Sequence, residues 1–155
     1  MKIEINEKKN VKVVIKPWGY EKWIAPGKPN FKYALKEIYL KKGKKSSLQF
    51  HKKKEETNYI LSGEGILHYS QKKINFKDFL KKGLSEKEII KIKKNIKKKK
   101  LKKGVVFHVK PFYLHRVEAK TNLLMMESST IELDDVFRVQ DDTNRKHGKI
   151  KTEHR

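Results

Sequence analysis

The chain has 155 residues, 37% charged and 36% hydrophobic, with no cysteine. That length suits one domain with a modest core, and it leaves imidazole, carboxylate, amide or water as the only metal ligands, since disulfides and thiolate sites are excluded. The formal net charge of +22 invites polyanions, but only four of the 40 basic residues are arginine, at 116, 138, 145 and 155, the side chain whose bidentate fork reads bases. Lysines are spread along the chain, densest near 91–103. They read as a solvated surface with loose, salt-sensitive affinity for polyanions, and no specific nucleic-acid site. No apolar signal core opens the chain and no run could span a bilayer, so no membrane association and a cytoplasmic location are expected.

Residues 11–24 predict a strand, a turn at Pro17–Gly19 and a second strand. A loop at Pro26–Pro29 leads to an alternating strand over 31–41. Segment 47–51 is a short strand with Gln49 and His51 on one face, because strand side chains repeat every two residues. Strands over 57–62 and 65–70 flank Gly63-Glu64-Gly65, a hairpin signal. Segment 71–103 breaks the pattern. Ser85 to Glu88 has capping-box spacing, Leu84 and Ile89 could form a hydrophobic staple, and Ile89, Ile92 and Ile96 follow at helical spacing. Lys97–Lys103 reads as a solvated turn or a strand edge. Strands return over 104–110, 114–119 and 122–130. The domain is read as 1–150, with 148–155 a flexible tail. Many short strands at regular spacing predict an all-β sandwich or barrel.

Glu56 follows a short lysine-rich connection and can fold back beside His51, while His115 opens a later strand. With Gln49 these residues make a mixed N/O ligand set suited to Zn, Fe, Mn, Co or Ni. On spacing alone, a packed or surface histidine is the more ordinary reading.

A resemblance sharpens this. Gly43-x5-Gln49-x-His51-x4-Glu56-x6-Gly63 resembles the first cupin motif, with Gln for the usual first His, and a second motif runs from Gly104 to His115. Ser47-Leu48-Gln49-Phe50-His51, Lys16-Pro17-Trp18-Gly19-Tyr20-Glu21, Leu114-His115-Arg116-Val117-Glu118 and Asp134-Asp135-Val136-Phe137-Arg138, with Asp141, Asp142 and Arg145, resemble the type II mannose-6-phosphate isomerases. These also occur as the C-terminal cupin of mannose-1-phosphate guanylyltransferases. The resemblance implies a single cupin, a jelly-roll barrel; the helical, lysine-rich insertion over about 71–103 has no counterpart in the family's short inter-motif loops, and is expected to cap one barrel end or shape the site mouth. The chain departs from the family at Lys54 (usually Arg), at Asn58 (usually aromatic) and at Lys110-Pro111-Phe112, where the family has Pro-x-Gly and φ > 0. That turn is therefore expected to differ. No nucleotidyltransferase domain accompanies the motifs, so a stand-alone cupin is expected.

The implied activity is metal-dependent interconversion of mannose 6-phosphate and fructose 6-phosphate through an enediol(ate). One divalent ion, Zn foremost, would be held by Gln49, His51, Glu56 and His115. Lys36, Lys54 and Arg116 are candidates for the phosphate, although strand alternation turns Arg116 away from His115. Trp18 and Tyr20 are candidates for sugar stacking. The base is open between a metal-bound hydroxide, Glu37 and a carboxylate of 134–142, while His68 and His108 read as structural. Other readings are a different metal cupin enzyme (another sugar isomerase or an Fe(II) oxygenase), a non-catalytic sugar-binding cupin and a polyanion-binding module. A homodimer is expected, since pairing hides strand edges.

Overall fold

The computed structural model describes residues 3–77, 79, 85–140 and 148–149. Their elements are β1 (Lys12–Lys16), β2 (Gly19–Pro26), β3 (Ala34–Leu40), β4 (Leu48–Phe50), β5 (Glu56–Ser62), β6 (Gly65–Tyr69), α1 (Glu86–Asn95), β7 (Lys97–Leu101), β8 (Val106–Val109), β9 (His115–Ala119), β10 (Leu123–Ser129), β11 (Phe137–Gln140) and β12 (Gly148–Lys149). Two six-stranded sheets form, in the orders β1-β2-β3-β10-β5-β8 and β12-β11-β4-β9-β6-β7. Every strand pair is antiparallel. Asp141, Asp142, Arg145 and most of the expected flexible tail lie outside the described residues, but Gly148 and Lys149 pair with Arg138 and Phe137.

The hairpin expected at Gly63-Glu64-Gly65 is not one. β5 lies in the first sheet and β6 in the second, so this turn carries the chain from sheet to sheet. Glycine is required there, because a Cβ on Gly63 (φ +86°) would stand 2.1 Å from the Asn122 carbonyl oxygen, closer than any van der Waals contact. Pro17–Trp18 does close a β1–β2 hairpin, with Lys16 opposite Gly19.

Alternation sorts side chains to the two faces of each sheet. Between the sheets, Trp18, Ile38, Leu40, Ile60, Leu67, Val117, Leu123 and Met125 form an apolar core. Each fully buried side chain of this size is worth about 1.5–3 kcal/mol. A second cluster lies on the outer face of the second sheet, where Leu48, Phe50, Leu114, Phe137 and Val139 meet Phe79. Ile89, Ile92 and Ile96 pack on that cluster. The insertion helix therefore covers a sheet face; it neither caps a barrel end nor lines the site. Its capping box is present, with Glu88 N–H donating to Ser85 Oγ (3.3 Å) and Ser85 N–H to the Glu88 carboxylate (2.8 Å). Leu84, the staple partner, lies outside the described residues. Lys97–Leu101 is the edge strand of the second sheet, consistent with lysines guarding an unpaired edge.

The outer face of the first sheet also carries apolar residues. One row crosses all six strands through Val13, Lys22, Glu37, Met126, Tyr59 and Val106. Beside it Ile15 faces Tyr20, and Tyr20 stacks on Tyr39 at 5.1 Å between ring centroids.

Candidate metal centre

β4 places Leu48 and Phe50 in the outer cluster, which turns Gln49 and His51 inwards. β9 begins with His115 directly opposite Gln49. β5 begins with Glu56, facing the same interior. The three residues converge: one ligand atom each from His51, Glu56 and His115 lies within 4.8 Å of the others. His51 Nε2 is 3.5 Å from Glu56 Oε2, and His115 Nε2 is 3.4 Å from Glu56 Oε1. Two donors bound at about 2.1 Å to one tetrahedral ion stand about 3.4 Å apart.

The histidines are set up as ligands. His51 Nδ1 hydrogen-bonds the Asp135 carbonyl (2.6 Å) and His115 Nδ1 the Tyr113 carbonyl (3.1 Å). Each ring then carries its proton on Nδ1 and points a lone pair from Nε2 at Glu56, the arrangement that orients metal-bound imidazoles. Both Nε2 atoms are buried and lack a hydrogen-bond partner, an arrangement a bound cation would satisfy. Burial, followed by the opposing attraction of Glu56, leaves His115 lowered to about 4, so the ring is neutral at pH 7. Burial pushes the Glu56 carboxyl up, but the Lys54 ammonium outweighs it and holds the group well below its ordinary value. The donors fit a divalent cation.

Asp135 holds the connecting loop. Its carboxylate accepts the backbone N–H groups of Lys52 (3.1 Å), Lys53 (2.5 Å) and Lys54 (2.9 Å). Burial opposes ionisation of Asp135, and these amides overcome it, lowering its pKa. Its carboxylate serves the loop, which removes Asp135 as the base.

Lys36 and Lys54 are not surface lysines; they are 2% and 4% exposed, inside the barrel. Lys54 Nζ bridges Glu56 (2.7 Å) and Glu127 (2.8 Å). Burial would lower its pKa, but Glu127 and Glu56 raise it above the ordinary lysine value. Lys36 Nζ contacts Glu21 Oε2 (3.3 Å), which also accepts from Trp23 Nε1 (3.0 Å). The two lysines and Glu21, Glu56 and Glu127 line a cavity of about 70 Å³ together with Gln49, Asn58, His115 and Trp18. Gln49 Oε1 accepts the Ser47 hydroxyl at 2.6 Å. Asn58 Nδ2 donates to Glu56 Oε1 (3.3 Å), and its buried Oδ1 has no hydrogen-bond partner.

Three other candidates fall away from this interior. Tyr20 and Glu37 occupy the outer face of the first sheet, where the Tyr20 hydroxyl donates to Glu37 Oε1 (3.2 Å). Arg116 lies on the outer face of the second sheet, paired with His68, and its Nε donates to the Ser46 carbonyl (2.9 Å). Trp18 lines the cavity but packs in the inner core. The groups that sequence reasoning did not single out are Glu21, Glu127 and Arg138, the last opposite Gln49 across β4 and β11. Inward positions on alternating strands were the available signal.

At Lys110-Pro111-Phe112 a positive φ is adopted without a glycine. Phe112 itself adopts φ 69°, with its N–H donating to the His51 carbonyl (2.7 Å) and its carbonyl accepting from Ile74 (2.8 Å). Its ring lies 5.7 Å from Phe76 in the outer cluster, and that packing offsets the strain of a Cβ residue in the left-handed region.

No family model and no curated protein matches the chain. Solved structures do. The capsular polysaccharide assembling protein CapF from Staphylococcus aureus shares 14% identity at TM-score 0.62 over 84% of this chain and 32% of its own. Oxalate decarboxylase from Lactobacillus farciminis, in a formate complex, shares 12% at 0.60 over 84% and 34%. Oxalate decarboxylase from Bacillus subtilis shares 13% at 0.61 over 84% and 30%. The chain spans about a third of the length of each, and at these identities the likeness is one of fold. The architecture is that of a single cupin domain, with a His-His-Glu cluster inside the barrel able to hold a metal ion.

Proposed function

We propose that the protein is a metal-dependent sugar-phosphate isomerase that interconverts mannose 6-phosphate and fructose 6-phosphate. The observation that carries this reading is the convergence of two unpartnered imidazole Nε2 atoms on the Glu56 carboxylate inside a lysine- and carboxylate-lined cavity. His51, Glu56 and His115 would hold one divalent ion, Zn foremost, and Gln49 would supply the fourth donor once its amide oxygen is released from Ser47. Bound there, the ion supplies a Lewis acid that polarises the substrate carbonyl.

The chain's own groups do the rest. Proton transfer between C1 and C2 needs a base on the cavity wall. Glu127 replaces Glu37 in that role, because it faces inwards and is paired with Lys54. Lys54 steadies the oxyanion of the enediol(ate), and Asn58 Oδ1 accepts a substrate hydroxyl. A cavity of about 70 Å³ holds only the reacting end of a hexose phosphate. Glu56 also borders an open groove of about 400 Å³ lined by Lys32, Tyr33, His108 and Lys110, and the phosphate end is placed there. A soluble, cytoplasmic protein is consistent with this chemistry, and among the described residues no helix is long and apolar enough to cross a membrane.

The small cavity also favours a second reading, a metal enzyme acting on a small carboxylic acid. One experiment separates them: metal-loaded protein is assayed with mannose 6-phosphate and, separately, with two- to four-carbon acids. Isomerisation lost in Glu127→Gln, with KM raised in Lys32→Ala/Lys110→Ala, supports the first. Turnover of the acids alone supports the second.

A further inference from the structure

We infer that the cavity between α1 and the segment after β6 is a binding site for a small organic anion of the nucleotide class, with several negative charges on a ring-bearing body. The cavity measures about 560 Å³, within the range of roughly 300–1,000 Å³ usual for small-molecule sites. α1 lines it through Glu88, Lys91, Ile92 and Asn95, which recur at helical spacing and share one face. Residues 70–75, Lys97 and Leu114 complete the lining. This lining is pinned to the sheet. Ser70 N–H donates to the Leu114 carbonyl and Leu114 N–H to Ser70 Oγ, both at 2.9 Å, and Ile74 N–H donates to the Phe112 carbonyl (2.8 Å). A site held in place before its ligand arrives loses less to ordering on binding. Leu114 belongs to the outer cluster, whereas His115, the next residue, faces the barrel interior. The cavity therefore lies across the second sheet from the metal centre.

The side chains specify the ligand. Lys72, Lys73, Lys91 and Lys97 line the cavity, and among the described residues none of these lysines has an ion-pair partner. Glu88 is the only carboxylate of the lining, and it accepts the Ser85 N–H of the capping box (2.8 Å). Four lysines against one carboxylate leave a net charge of +3 on a concave surface, where field lines are focused on an incoming anion. A chain of phosphates balances that charge; a single carboxylate does not. Ile74, Ile92 and Leu114 give a ring an apolar surface to lie on and give inorganic phosphate nothing. Ser70, Gln71 and Asn95 offer hydroxyl and amide groups to the hydroxyls of a sugar. Asn95 Nδ2 already donates to the Lys91 carbonyl (2.9 Å), which turns its oxygen to the role of acceptor. A fatty acid, with one charge and a long chain, matches neither the ammonium groups nor the short apolar stretch.

The test is calorimetric titration of the full chain with ATP, without added divalent metal, at about 150 mM salt, where screening beyond about 8 Å suppresses attraction to the rest of the basic surface. One ATP per chain is expected, with adenosine and inorganic triphosphate each weaker by about tenfold or more, because each lacks half of the match. In methyl NMR spectra the signals of Ile74, Ile92 and Leu114 should shift with ATP, and those of Ile38 and Ile60 in the inner core should not. Lys91→Glu/Lys97→Glu should weaken ATP by about tenfold or more, whereas the charge-matched Lys99→Glu/Lys103→Glu, outside the cavity, should weaken it by less than about threefold. All four of these lysines are exposed, so both variants should keep the wild-type circular dichroism. Triphosphate that binds as tightly as ATP, or equal losses in the two charge-matched variants, overturns the inference and leaves a basic surface only. ATP that does not bind at about 1 mM, or that binds without shifting the methyl signals of the cavity, overturns it as well. Decanoate bound there in place of ATP overturns the ligand class.

Discussion

Asp135 is the residue whose loss should do most damage per atom removed without touching a ligand atom. Its carboxylate gathers the amides of Lys52, Lys53 and Lys54, and its carbonyl holds His51 Nδ1, so one residue fixes both ends of the segment between the first two ligands. Hydrogen bonds to a charged acceptor are worth about 1.5–3 kcal/mol each when buried. Two of the three amides belong to exposed residues, which lowers the total. Asp135→Ala should cost about 2–4 kcal/mol, and Asp135→Asn, which keeps one oxygen, about 1–2 kcal/mol. Thermal melts of the metal-free protein check this, with shifts of roughly 2–4 °C per kcal/mol at this chain length. Metal affinity, read by competition with a chromophoric chelator, should fall about 10-fold in Asp135→Ala: the backbone carbonyl that holds His51 remains, and what is lost is the carboxylate's grip on the 52–54 loop that positions His51 and Glu56. The pH dependence gives an internal control. The Asp135 carboxyl titrates below its ordinary value in the fold, so its stabilisation is fully present above the unfolded value near 3.9 and is lost as pH falls through the folded one. Wild type and Asp135→Asn should therefore converge in stability as the pH drops towards 2. A gap that persists at low pH, or an Asp135→Ala protein with wild-type melting and metal affinity, would refute the role given to this carboxylate.

Three further outcomes are expected. Phe112→Gly should be more stable than Phe112→Ala by about 1 kcal/mol in urea titration, since both lose the ring but only glycine relieves the φ of 69°; equal midpoints would remove strain from the account. Lys54→Met should destabilise the metal-free protein by about 3 kcal/mol or more by leaving Glu56 and Glu127 unbalanced, and saturating Zn should recover part of the loss, as read by melting with and without metal. Gly63→Ala should fail to fold or melt far below wild type, because its Cβ meets the Asn122 carbonyl at 2.1 Å; a normal melt would mean that the sheet-to-sheet turn can relax.

The all-β architecture was legible because period-two alternation is a local property of a sequence; the single barrel and the His-Glu-His cluster came from the resemblance to the cupin motifs, since spacing alone left a packed or surface histidine as the more ordinary reading. The same alternation could have excluded Tyr20 and Glu37, whose neighbours Glu21 and Lys36 take the inward positions. Lys36 and Lys54 were named as candidates for the phosphate, but their ion-pair partners were not legible: only the pairing of β2 with β3 brings Glu21 to Lys36, and that of β5 with β10 brings Glu127 to Lys54. The change of sheet at Gly63 was misread because glycine marks both hairpins and close backbone approaches. Phe112 was misread because a φ that ordinarily demands glycine is held here by ring contacts with residues distant in sequence.

The most direct test of the central claim is metal stoichiometry. Stripped wild type titrated with Zn or Co in a calorimeter should bind one ion per chain, and His51→Ala and His115→Ala, each checked for folding by circular dichroism, should bind none at that site. Stoichiometric binding that survives both substitutions, or no binding by folded wild type with any of Zn, Co, Mn, Ni or Fe(II), would contradict it.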